Sequence, residues 1–158
     1  ASAQMRAALE TSAPWTIAQA RLRYTVTLRR EDLLSLYTQA SEEGFALRLT
    51  LRRAETWGTA DALLLGMEDF FPPRSNCRKL AVRAAWQQAR AQLEQGTSVY
   101  YPNYRLALRR AFSPRNFYLS EEALHWFYPM CSAAPAVEGI VEFSLPYGEE
   151  GPFLPPET

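Results

Sequence analysis

Apolar and polar residues alternate strictly over 21–29: Leu22, Tyr24, Val26 and Leu28 fall on one side, and Arg21, Arg23, Thr25, Thr27 and Arg29 on the other. A period of two marks an extended strand, because successive side chains leave a pleated backbone on opposite faces. The pattern predicts a half-buried strand whose Leu/Tyr/Val row faces the core. Arg30-Glu31-Asp32 breaks the run, and Leu34, Leu36 and Thr38 then alternate with Ser35, Tyr37 and Gln39. After Ser41-Glu42-Glu43-Gly44 the alternation resumes at Phe45, Leu47, Leu49 and Leu51. Strands joined by short polar breaks read as an antiparallel meander. A turn over 58–61 leads to a short strand at Ala62-Leu63-Leu64-Leu65, which Glu68-Asp69-Phe70-Phe71-Pro72-Pro73 ends.

The periodicity then changes. Val82, Trp86, Ala89 and Leu93 recur at helical steps, with Ser75 or Asn76 as N-cap and Gly96 closing the helix. A second helix is predicted from Pro102, with Tyr104, Leu108 and Phe112 on one stripe, ending before Pro114. Phe117 and Leu119 begin a strand, Ser120-Glu121-Glu122-Ala123 turns it, and Leu124, Trp126 and Tyr128 return opposite His125 and Phe127. Beyond an irregular loop from Cys131 to Gly139, a last strand carries Val141, Phe143, Leu145 and Tyr147 on one face. Strands, helices and strands in that order predict an α+β fold: an antiparallel β-sheet with two helices packed on one face. The expected division is an N-terminal segment at 1–19, one domain at 20–147 and a Pro/Gly/Glu-rich tail at 148–158 that drapes or frays.

A chain of 158 residues, 47% of them hydrophobic, suits one domain with a real core. Its 17 basic and 17 acidic side chains cancel, which argues against recruitment of nucleic acid or an anionic membrane by a global field. Lys79 is the sole lysine, so the basic set is almost all arginine. No apolar run is long enough to span a bilayer, and the first ten residues lack a signal-peptide core. Cys77 and Cys131 are compatible with a disulfide across a long loop or with two buried thiols.

Catalytic and metal-binding patterns are not found. His125 is the sole histidine and has no nucleophile elbow or C-x-x-C pair to accompany it, so it reads as a structural imidazole. Glu138 and Glu142, four extended residues apart, are separated by about 13 Å, too far for paired-carboxylate hydrolysis. Glu68-Asp69 suits a helical cap or a cation equally. No cofactor is indicated. Arg21 and Arg23, with Arg48 and Arg52 on a neighbouring strand, form a candidate strip for an anionic wall polymer; the competing reading is the wet side of a half-buried sheet.

The block Asn116-Phe117-Tyr118-Leu119-Ser120-Glu121-Glu122-Ala123-Leu124, then Ala134-Pro135 with Gly139, then Leu145-Pro146-Tyr147, resembles a known domain of unknown function. That domain is shared by the extracytoplasmic region of the RsiV anti-sigma factor and the non-catalytic region of the peptidoglycan deacetylase PdaC. Upstream, Thr56-Trp57-Gly58-Thr59 through Leu65 to Asp69-Phe70-Phe71 is similar to the same family. The likeness covers about 45–147, with 20–44 as its opening strands. Two departures stand out: no glycine-rich segment lies around Gly44, and Ala136 occupies the place of an aromatic residue. The resemblance implies a non-enzymatic extracytoplasmic binding or sensor domain of a bacterial envelope protein, with lysozyme as the model protein ligand. Ala134, Pro135, Ala136 and Tyr147 would be its contacts. The alternative it implies is an accessory wall-polymer module accompanying a peptidoglycan-modifying enzyme.

Overall fold

The computed structural model describes residues 19–43, 48–149 and 151–155. The expected N-terminal segment, except Gln19, lies outside the described residues, as do Phe45 and Leu47 of the expected third strand. Strands β1 (Gln19–Arg29), β2 (Leu33–Glu43), β3 (Arg48–Gly58) and β4 (Leu63–Leu64) form one antiparallel sheet in that order. Strands β5 (Phe117–Leu119), β6 (Ala123–Tyr128) and β7 (Val141–Pro146) form a second. Between the sheets in sequence come helices α1 (Cys77–Gln95) and α2 (Tyr104–Ala111). The α+β class with two helices is therefore what the chain adopts, its antiparallel strands divided into two sheets.

Helix α1 begins where Asn76 accepts a hydrogen bond from the Lys79 amide and ends at Gly96, whose φ of 68° lies in the left-handed region open to glycine. Its inner face is built of small residues, Ala81, Ala84, Ala85 and Ala89 with Val82, which let the helix approach the second sheet closely. Gln88 completes the contact: its side-chain nitrogen donates to the Ser144 carbonyl at 2.8 Å, and its side-chain oxygen accepts from the Ser144 amide at 3.4 Å. The amide side chain thus caps the outer edge of β7, where an unpaired strand would expose backbone groups. Trp86 donates to the Arg105 carbonyl and Arg78 to the Arg109 carbonyl, tying α1 to α2.

The core lies between the helices and β5–β7. Trp126, Tyr128, Phe143, Leu119 and Leu124 are all fully buried, and Phe143 packs its ring against Trp126, Tyr128 and Tyr100. Met67 and Phe70 close one side from a 3₁₀ turn (Met67–Phe70), at which Asp69 accepts from the Gly66 amide. Asp69 therefore caps a turn. The tail drapes over this corner: Pro152 is buried and the Phe153 amide donates to the Phe70 carbonyl. Cys77 and Cys131 are unpaired, the first half-buried and the second exposed.

The first sheet overturns the expected facing of β1. Leu22 is 74% exposed and Tyr24 77%, whereas Leu28 is buried. The pairing register shows why. Val26 pairs with Leu36, Leu28 pairs with Ser35, and Thr27 between them is an extra residue, a β-bulge that switches β1 from one face to the other. Leu28 joins the face that carries Ser35, Tyr37, Gln39, Arg52 and Thr56, and this face meets the second sheet. The strand end beyond the bulge projects away from the core with its Leu/Tyr/Val row in solvent.

Candidate functional site

Polar groups join the two sheets. Ser35 and Thr56, both fully buried, share a hydrogen bond of 2.9 Å, and the Leu119 amide donates to Ser35 Oγ at 2.9 Å. Further out, Arg52 lies with its guanidinium carbon 4.4 Å from the Tyr37 ring centre and 5.3 Å from that of Phe127. Its Nε and Nη2 donate to Gln39 Oε1, and its Nη1 meets Glu142 Oε2 at 2.5 Å. The flat fork satisfies two acceptors while both rings flank it, an arrangement lysine cannot reproduce.

Glu142 also accepts from the Tyr118 hydroxyl at 2.7 Å and lies 3.8 Å from His125 Nδ1. His125 stacks on Tyr118, ring centres 4.8 Å apart and planes 6° from parallel, with Ser120 Oγ 3.0 Å from Nε2. Burial lowers the imidazole pKa from its ordinary value, against the opposing pull of the Glu142 charge. Burial raises the Tyr118 phenol, as does the neighbouring carboxylate. Glu138 is elsewhere: its carboxylate accepts from the Val99 amide at 2.8 Å. Glu142 and His125 thus share the inter-sheet cluster around Tyr118, whereas Glu138 sits apart on the Val99 amide.

A groove opens beside this cluster. One wall is β2 and β3, with Gln39, Arg48, Thr50 and Arg52; the other is the segment 136–140 that leads into β7. That segment is a 3₁₀ turn (Ala136–Glu138) closed by Gly139, which has a φ of 64°. Val137 stands on this wall, 85% exposed, and Glu138 next to it is held by the Val99 amide. The groove therefore combines an apolar tip, a facing arginine and a wall fixed through Glu138.

The strand register puts Arg21, Arg23, Arg48 and Arg52 on one face of the sheet: Arg23 lines up through Gln39 with Arg52, and Arg21 through Ser41 with Thr50. Arg52 is committed to Glu142, Gln39 and the two rings. Arg21, Arg23 and Arg48 are exposed. Of the expected loop contacts, Ala136 lines the groove and Pro135 is half-buried at its start. Ala134 is 1% exposed, inside the core beside Ala133, whose carbonyl accepts from the Tyr101 amide. Tyr147 lies at the other end of β7, where its hydroxyl donates to the carbonyls of Ser120 and Ala123 and clasps the β5–β6 turn. Sequence reasoning missed Val137, although Pro135 and Gly139 on either side of it mark a turn. It missed Glu142 as the partner of Arg52 because nothing local records a pairing across 90 residues.

The two sheets, the α1 cover and the inter-sheet cluster define an α+β domain whose open surface is a groove walled by a strand face and a loop. The chain belongs to a family of proteins of unknown function, DUF3298, whose model matches residues 68–148. Its fold is similar to that of a DUF3298 protein of Bacteroides fragilis, with a TM-score of 0.62 and 17% identity over 91% of this chain and 58% of the other. It is also similar to that of a DUF3298 protein of Pseudomonas aeruginosa, with a TM-score of 0.56 and 17% identity over 91% of this chain and 64% of the other. The chain thus spans about three-fifths of the length of each solved relative. No curated protein matches it.

Proposed function

We propose that this chain is a non-enzymatic binding or sensor domain in the extracytoplasmic part of a bacterial cell-envelope protein, and that it recognises a protein ligand such as lysozyme. The observation that carries this reading is the groove, where Val137 projects 85% exposed opposite Arg48. Arginine is enriched at protein interfaces, and the centre of such a patch is apolar. The resemblance of Asn116–Tyr147 to the domain of RsiV and PdaC supports the compartment and the role. The non-enzymatic reading is supported by the engagement of Glu142 with Arg52 and of Glu138 with Val99. Calorimetric titration with lysozyme tests the proposal: saturable binding is expected, and no binding, or hydrolysis or deacetylation of a wall glycan by the protein incubated without lysozyme, would overturn it.

A second reading rests on Arg21, Arg23 and Arg48, which share a face and close no ion pair among the described residues, with Glu43 across from Arg48 in the register. It makes the chain an accessory module that holds an anionic wall polymer through phosphate or carboxylate groups. Retention on teichoic acid that is unchanged in the triple alanine variant of these arginines would end it.

A further inference from the structure

The outer edge of β1 offers a different surface. β1 is the terminal strand of its sheet, with no strand beside it among the described residues. On one of its faces Leu22, Tyr24 and Val26 are 74%, 77% and 46% exposed, continued across the sheet by Leu51 at 71%. On the other face stand Arg21 and Arg23, both exposed and without a carboxylate partner among the described residues. An edge unpaired among the described residues, with one apolar and one cationic face, has the features of a strand-addition site: main-chain hydrogen bonds supply affinity, and alternate side chains supply selectivity.

We propose that the edge of β1 over Ala20–Val26 accepts an extended protein segment in which acidic and apolar residues alternate. A strand paired there sets one set of its side chains beside Leu22, Tyr24 and Val26, and the other beside Arg21 and Arg23. Opposite charges directly across a strand pair stabilise it, and like charges oppose it. The same rule selects against a second copy of this chain. β1 carries Arg21, Arg23 and Arg29 and no acidic residue, so a two-fold antiparallel pairing centred on Leu22 brings Arg21 against the copy's Arg23. The charges that protect this edge from self-association are those that recognise an acidic strand. The apolar half of this site lies across the sheet from the groove at Val137, while Arg21 and Arg23 share the groove's face, Arg23 beside Gln39; the inference does not depend on recognition at Val137.

The test uses two fluorescein-labelled synthetic peptides, one alternating glutamate and valine and one alternating lysine and valine. Fluorescence anisotropy is expected to show tighter binding of the glutamate peptide, by about tenfold. The Arg21→Glu/Arg23→Glu variant is expected to reverse that order. Amide hydrogen exchange is expected to slow at Ala20–Val26 on binding, and Val137→Asp to leave the affinity unchanged. Equal affinity for the two peptides, an unreversed preference in the variant, or exchange protection at 136–140 instead of β1 would overturn the proposal. Sedimentation showing a dimer that the glutamate peptide cannot disrupt would overturn it in favour of a second copy.

Discussion

Arg52 of β3 and Glu142 of β7 meet at 2.5 Å across 90 residues of sequence, and this pair fastens the outer part of one sheet to the other. Arg52 has 14% of its side chain exposed and Glu142 32%, so removal of the carboxylate strands a mostly buried cation. Because solvent still reaches Glu142, the loss is smaller than for a fully buried pair. Glu142→Ala is expected to lower stability by about 1–3 kcal/mol in urea unfolding. A coupling near zero between Arg52→Ala and Glu142→Ala in a double-mutant cycle would show that the pair does not join the sheets.

Ser35 is a second fastening. Its hydroxyl oxygen accepts from the Leu119 amide and also contacts Thr56, at a point with no solvent. Ser35→Ala leaves the Leu119 N–H and the Thr56 hydroxyl without that partner, and a buried unsatisfied polar group costs about 1–3 kcal/mol. The expected outcome is a lower urea midpoint, accompanied by faster exchange of the Leu119 amide.

His125 gives acid a specific route to destabilise the fold. Its folded pKa lies below the ordinary 6.5, chiefly through burial, so below that pH the unfolded chain binds a proton that the folded chain resists. The contribution is fully present above pH 6.5 and declines as pH falls through the window down to the folded pKa. His125→Asn removes this term. The stability difference between wild type and variant is expected to be flat above pH 6.5 and to shift against the wild type below it, as measured by urea midpoints across pH.

The alkaline limb has the opposite sign. Burial pushes the Tyr100 phenol up to about 12 and raises Tyr118, Tyr128 and Tyr147 as well. Stability from these groups is complete below pH 10 and is lost as pH rises from there toward the folded values. Absorbance titration is expected to show these four phenols ionising above pH 10, with unfolding releasing them together.

The lesson for sequence reading is uneven. The α1 boundaries were legible because Asn76 and Gly96 act locally, through a side-chain cap and a left-handed backbone. The β5–β6 hairpin and β7 were legible because their alternation coincides with the burial of Leu124, Trp126, Val141 and Phe143. The facing of β1 was not. Alternation states that two faces differ, and it does not say which one meets the body; one added residue at Thr27 reverses the answer midway along the strand. The shared face of Arg21, Arg23, Arg48 and Arg52 could be read from strand parity, but the commitment of Arg52 to Glu142 depends on docking of the sheets. Ala134 looked like an exposed loop residue because the loop is irregular, yet the neighbouring Ala133 carbonyl accepts from the Tyr101 amide and both alanines are buried.

Recognition at the groove is the claim on which the functional account stands, and amide hydrogen exchange with and without saturating lysozyme tests it most directly. Protection is expected over 136–140 and along 48–52, and is expected to disappear in Val137→Asp while urea stability stays within about 0.5 kcal/mol of wild type. Lysozyme binding that protects neither segment, or that persists undiminished in Val137→Asp, would contradict it.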